Sequence, residues 1–229
     1  MISQILHAND FAQEAARFIL ARARGAIAAR GLFRLGLTGG RSPRAVNDAL
    51  ISLAGDLPWP KVQFTFGDER CVPPEHADSN FRVARESLFG PAGVPEGNVF
   101  RMRGEIDPAS AAEEYEAKLA AVATRLGEAR YTHDLLLLGL GEDGHVASLF
   151  PDSPALDENT RNVLPVIGPK PPPQRISMTF PLINAARQVL FLVPDAAKRD
   201  IVKGVIDGDA RYPASRVRAQ EQVSWLLGW

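Results

Sequence analysis

The amino-acid sequence predicts an α/β fold, a mostly parallel sheet with helices on both faces, in a single domain spanning residues 1–229. Three observations carry this. Short apolar runs alternate with helical patterns along the chain. Leu135–Leu138, four leucines between Asp134 and Gly139, is too short for a globular helix and reads as a strand buried on both faces. Finally, three apolar runs lead into polar glycine loops, Thr38–Ser42, Gly67–Arg70 and Gly139–His145, and parallel strands deliver such loops to one rim of a sheet.

Elements follow in order. Asn9 and Asp10 can cap a first helix that carries Phe11, Ala15, Phe18, Ile19 and Ile27 at helical spacing and ends near Gly31. Residues 32–37 read as a strand, Thr38–Ser42 as a tight loop, and Pro43 as the first residue of a helix to about Leu53. A second strand, Val62–Phe66, runs into Gly67–Arg70, and Ser79 caps a helix from Asn80 to Phe89. Residues 91–107 are rich in Pro and Gly with a short strand at Val99–Phe100, after which Pro108 opens a helix to about Leu126. Beyond the leucine strand, residues 162–167 read as an edge strand, because Pro165 cannot donate to a ladder, and 169–173 as a stiff connector. Arg175–Thr179 and Gln188–Val193 read as strands flanking a short helix at Leu182–Ala186. Pro194 and Asp195 start a helix to about Asp207, and Gln222–Leu227 closes the chain as a strand.

The whole composition excludes several classes of function. A content of 45% hydrophobic and 23% charged residues is that of an ordinary globular chain. A net charge of −1 and a pI near 6.4 leave no basic footprint for nucleic acid. The N-terminus has no basic stretch followed by an apolar core, and no window approaches the roughly eighteen apolar residues of a membrane span, so no membrane partner is expected. Cys71, the single cysteine, cannot form an internal disulfide, which agrees with a cytoplasmic protein; a monomer or small homo-oligomer is expected.

Chemistry concentrates in Gly139–Pro151. Gly139, Gly141 and Gly144 match G-x-G-x-x-G, but Pro151 and the turn residues after it leave no room for the helix that a dinucleotide site requires. His145 can accept a proton from water near neutral pH; the alternative is a structural histidine bonded to its own loop. Asp143 can orient that ring or join it on a metal, yet no third ligand is visible, and His7, His76, His133 and His145 show no HExxH spacing. Ser148 lacks the G-x-S-x-G elbow of a nucleophile. Gly39, Gly40, Arg41 and Ser42, before a helix N-terminus, suit one phosphate or form a plain tight turn. Alone, Asp68, Glu69 and Arg70 read as a solvated loop, Cys71 as an apolar filler, and Arg175 and Lys198 as surface cations.

Taken together and in order, Leu37–Pro43, Gly67–Pro73 with Asp78–Asn80, Gly139–Pro151, Arg175–Thr179 and Lys198 resemble the 6-phosphogluconolactonase family, within the wider glucosamine-6-phosphate isomerase/deaminase superfamily. The first block departs from the usual S-G-G-S-T-P, with Arg41 in place of a small hydroxyl residue. The resemblance implies a Rossmann-like sheet and hydrolysis of 6-phospho-D-glucono-1,5-lactone to 6-phosphogluconate, in the oxidative pentose phosphate pathway, without metal or organic cofactor. It implies His145 as general base, Gly39–Ser42 with Arg175 and Lys198 around the 6-phosphate, and Asp68 and Arg70 near the lactone. Other functions that the resemblance leaves open are glucosamine-6-phosphate deamination and non-catalytic sugar-phosphate binding. Deaminases place a glutamate five residues after the histidine for ring opening; the same count from His145 reaches Phe150, which cannot carry a proton.

Overall fold

A computed structural model of the protein describes residues 3–40 and 43–229; Arg41 and Ser42 of the first glycine loop lie outside the described residues. The chain runs β1 (Ser3–His7), α1 (Phe11–Arg30), β2 (Phe33–Leu37), α2 (Pro43–Ala54), β3 (Val62–Phe66), β4 (Asp68–Arg70), α3 (Asn80–Ala84) and α4 (Pro108–Arg125). It continues through β5 (Leu135–Leu138), β6 (Val163–Ile167), β7 (Gln174–Met178), a single turn α5 (Phe180–Ile183), β8 (Gln188–Val193), α6 (Arg199–Ile206) and β9 (Gln222–Leu227).

Six parallel strands form the main sheet in the order β1-β9-β8-β5-β2-β3. Its two faces can be read from β5, where Leu136 and Leu138 enter one apolar cluster and Leu135 and Leu137 the other. Residues of α1 and α2 pack into the second cluster, and residues of α4 and α6 into the first. Burial on both sides is what an all-leucine strand requires. The helix ends follow their local chemistry: the Asp10 carboxylate accepts from the Gln13 amide at the start of α1, and Gly31 closes it at φ 76°.

Strand order reverses between β2 and β5, since the chain goes from β2 outward to β3 on one side and from β5 outward to β8 on the other. Loops leaving the C-terminal ends of these strands flank a crevice, the place where open α/β sheets bind ligands.

One sheet was expected, and two are found. Gly67 turns the chain out of the parallel sheet, so that Asp68–Arg70, read from sequence as a loop, becomes β4 of a three-stranded antiparallel sheet, β4-β7-β6. Pro165 sits on β6, the edge strand of that smaller sheet, and residues 168–173 form the β6–β7 hairpin tip. Val99 makes a single bridge to Phe64 rather than a strand. The helix after Ser79 leaves α geometry at Ala84 and continues as a π turn, Arg85–Phe89. At the N-terminus, β1 pairs with β9 although the sequence showed no strand pattern there.

Candidate active site

Thr38, the first residue after β2, bridges the switch point: its Oγ1 accepts a hydrogen bond of 3.0 Å from the amide of Gly139, the first residue after β5. This ties the two glycine loops into one floor. Beside it the Asn80 side-chain amide lies where a side chain on Gly39 would stand, so the first loop packs directly on the start of α3.

The loop after β5 is wound tightly around its own backbone. The Gly141 amide donates to the His145 carbonyl at 2.9 Å, and the Gly144 amide to the Gly141 carbonyl at 3.1 Å. A Cβ on Gly141 would overlap the His145 ring, and Gly144 turns at φ 75°, so both positions require glycine. His145 Nδ1 then lies 2.5 Å from Asp143 Oδ1. An ionised carboxylate only accepts, so Nδ1 carries the proton and Nε2 is left as the basic nitrogen. Burial would raise the Asp143 carboxyl, but the hydrogen bond and charge of His145 outweigh it and hold the group below the usual carboxylate range. The remaining face of the imidazole rests on Phe150, with ring centroids 4.5 Å apart.

A second polar cluster surrounds Asp68. Ala147 adopts the left-handed region at φ 49°, at a cost of about 1–2 kcal/mol. The turn directs Ser148 back into the core, where its hydroxyl donates to Asp68 Oδ2 at 2.7 Å and its amide donates to Ser177 Oγ at 3.1 Å. Asn80 Nδ2 donates to the Asp68 carbonyl at 2.9 Å. Arg175, buried at 7% exposure, has its Nη1 3.9 Å from Asp68 Oδ2 and its guanidinium carbon 5.7 Å from the centre of the Phe150 ring. Burial first, and then the charge of Arg70, lowers the Arg175 pKa. The two arginines are direct partners across the β4–β7 ladder, and among the described residues both Nε atoms are buried without a hydrogen-bond partner. Through their other nitrogens both groups donate to backbone, Arg70 Nη1 to the Asp78 carbonyl at 3.0 Å and Arg175 Nη2 to the Lys170 carbonyl at 3.4 Å.

The residues singled out in the sequence are therefore mostly gathered. Asp143, His145, Asp68, Arg70, Arg175 and Gly39 form one chain of contacts through Phe150, Ser148 and Asn80. Lys198 reaches the same loop from its other flank, donating to the Leu140 carbonyl. Arg41 and Ser42 fall outside the described residues. No local pattern marks Thr38, Ser148 or Ser177 as organisers, because each is a single polar residue whose partner lies far along the chain. Glu69 is not a solvated charge: its carboxylate accepts from the amides of Arg70, Asn80 and Phe81 at 2.8 Å each, seating α3. Burial raises its pKa against those three hydrogen bonds. Cys71 is pushed up to about 11 by burial and by Glu69, which suits a filler better than a thiolate nucleophile.

Among the described residues, no group of three or more His, Cys, Asp or Glu side chains is placed to hold a metal ion. No helix in them is long and apolar enough to cross a membrane. A cleft of about 1150 Å³ opens beside Asp143 and Phe150, between the segment after Pro151 and the β6–β7 hairpin.

Residues 7–225 match the family described as glucosamine-6-phosphate isomerases/6-phosphogluconolactonase. The chain belongs to this family. It is 40% identical over 206 residues to a 6-phosphogluconolactonase of Synechocystis sp., covering 88% of this chain and 84% of the relative. The Homo sapiens 6-phosphogluconolactonase is 34% identical over 235 residues, covering 99% and 90%. The crystal structure of 6-phosphogluconolactonase from Thermotoga maritima superposes over 100% of both chains with a TM-score of 0.89 at 28% identity. The match to the glucosamine-6-phosphate isomerase/6-phosphogluconolactonase family takes in the main sheet from the end of β1 to Trp225 in β9, and with it every site residue described above.

Proposed function

We propose that the protein hydrolyses 6-phospho-D-glucono-1,5-lactone to 6-phospho-D-gluconate, as a step of the oxidative pentose phosphate pathway, with His145 as general base. The observation that carries this reading is the contact between His145 and Phe150. Where a deaminase needs a carboxylate to help open an amino-sugar ring, this chain holds a phenyl ring against the histidine. What remains is one base, oriented by Asp143, with the Arg175 guanidinium across the Phe150 ring from it. Lactone opening requires no more, because its carbonyl is already electrophilic. The relatives named 6-phosphogluconolactonase support the same substrate.

In this mechanism His145 Nε2 takes a proton from water as its oxygen adds to the lactone carbonyl carbon. Asp143 holds the resulting imidazolium through Nδ1. Arg70 or a loop N–H steadies the oxyanion, and the tetrahedral adduct collapses by releasing the ring oxygen, which takes the proton back from His145. The 6-phosphate is held by Gly39, Gly40, Arg41 and Ser42 at the start of α2, with Arg175 and Lys198 supplying charge. Asp68, fixed by Ser148 and Asn80, sets the position of Arg175. The test is lactone consumption by purified protein with spontaneous hydrolysis subtracted. Catalysed opening of the phosphorylated lactone, with unphosphorylated gluconolactone a much poorer substrate, is expected. Equal rates on the two lactones would remove the phosphate site, and no catalysed rate would remove the assignment.

A further inference from the structure

We infer that Tyr212, which makes none of the contacts assigned above to catalysis or phosphate binding, is a positioning residue that locks the catalytic loop and so sets the aim of His145. The inference rests on the lactonase reading for its assay, and on geometry for its content. Residues 209–216 run from the end of α6 across the outer side of the catalytic loop. The segment is fastened at its start by the Asp209 amide donating to the Gly204 carbonyl at 2.9 Å. Farther along, the Ala214 amide donates to the Gly144 carbonyl at 2.9 Å, so a backbone hydrogen bond reaches the residue immediately before His145. Pro213 and Ala214 are buried, which anchors the segment.

Between these two fastenings the Tyr212 ring is wedged. A Cβ built on Gly144 would stand 2.5 Å from Tyr212 Cδ1, and one built on Gly204 would stand 2.6 Å from Tyr212 Cε2. Two glycines, one in the catalytic loop and one in α6, thus leave their side-chain space to opposite edges of one ring. A glycine at φ 75° with nothing against it can relax into many conformations. Here the ring on one side and the Gly144–Gly141 hydrogen bond on the other leave it one. The imidazole follows Gly144 directly, so loosening that residue moves Nε2 relative to the water it must activate. A displacement of about 1 Å in such a group can cost on the order of a hundredfold in rate.

Gly144 and Gly204, the two glycines that leave their side-chain space to the ring, are not residues assigned to the phosphate, so loss of the ring falls on turnover and spares affinity. Tyr212→Ala should lower kcat roughly ten- to a hundredfold with KM within about twofold. Tyr212→Phe should keep kcat within about twofold, because the wedge consists of ring carbons. Gly204→Ala supplies an independent probe in a helix that alanine favours, and should also lower kcat by displacing the ring. Circular dichroism and thermal melting confirm that each variant is folded. Wild-type protein inactive on the lactone would remove the function assignment and this role with it. An active wild type with Tyr212→Ala or Gly204→Ala at unchanged kcat, or a loss expressed only in KM, would overturn the wedge while leaving the lactonase standing.

Discussion

At His145 one neighbour decides which nitrogen can work. Because Asp143 Oδ1 accepts from Nδ1, the free lone pair is on Nε2. Replacing His145 with Asn should therefore lower kcat by about 10²–10⁴-fold with the fold retained, measured by steady-state hydrolysis and circular dichroism. Near-parental turnover would dismiss the residue as base. Arg175 is a different case, because a phosphate away from the reacting carbon is gripped equally in the ground and transition states. Arg175→Ala should raise KM more than it lowers kcat, and a pure kcat loss would move the guanidinium to the reacting end. His145 stood out in the sequence by its place in the glycine loop after a strand, whereas Arg175 alone read as a surface cation and was singled out only by the family resemblance. Their organisers were not legible: Ser148 reaches an Asp68 that lies 80 residues away, and no local pattern marks such a pairing.

Among the elements, β5 was readable because four leucines satisfy both faces of a sheet, whereas β1 and β4 were not. The sequence of β1, Ser-Gln-Ile-Leu-His, belongs to a sheet edge where Ile5 remains exposed, so half of its apolar signal is absent. β4 is three residues of opposite and like charge, made into a strand only by pairing with β7 and by burial of Glu69 against α3. The approach to β5 carries a consequence for acid stability. His133 is fully buried, its Nε2 2.8 Å from Thr65 Oγ1, and burial first and Arg34 second lower its pKa to about 3. The unfolded chain takes up a proton below about 6.5, and the folded chain does not until about pH 3. The advantage of neutral His133 is therefore whole above pH 6.5 and is lost as pH falls through that window, by about 1.4 kcal/mol per pH unit. Denaturant unfolding from pH 6.5 to 4 should show a steeper pH slope for the wild type than for His133→Leu, whatever the variant's absolute stability. Parallel slopes would mean that the histidine protonates in the folded protein.

For the molecule as a whole, alternation of strands and helices was enough to predict a parallel sheet with helices on both faces. The second sheet was not predictable, since it depends on Gly67 redirecting the chain and on β6 and β7 arriving from about a hundred residues later. That second sheet brings Arg70 and Arg175 side by side, with Arg175 facing Asp68. Asp143 and His145 alone are an incomplete donor set for a catalytic metal, so exhaustive chelation should leave lactone hydrolysis unchanged. Loss of activity restored by one added metal would contradict this. The choice between lactonase and deaminase is likewise a property of the assembled site. Deamination of glucosamine 6-phosphate begins by opening a hemiacetal ring, which requires a proton to be moved onto the ring oxygen and another removed from the anomeric hydroxyl. A family deaminase carries a glutamate beside its histidine for this work. Here the corresponding Phe150 ring is packed between His145 and Arg175, with centroid distances of 4.5 and 5.7 Å, and so forms an apolar spacer between imidazole and guanidinium. Asp68 cannot substitute for it, since its carboxylate is already engaged by Ser148 and Asn80 and faces Arg175. The pure protein should therefore release no measurable ammonia from glucosamine 6-phosphate under conditions where it opens the lactone. Phe150→Glu should not create that activity without loss of lactonase turnover, because an ionised carboxylate there would pair with Arg175. Robust ammonia release by the wild type would show that another group moves the ring-opening protons and would transfer the assignment to the deaminase branch of the family.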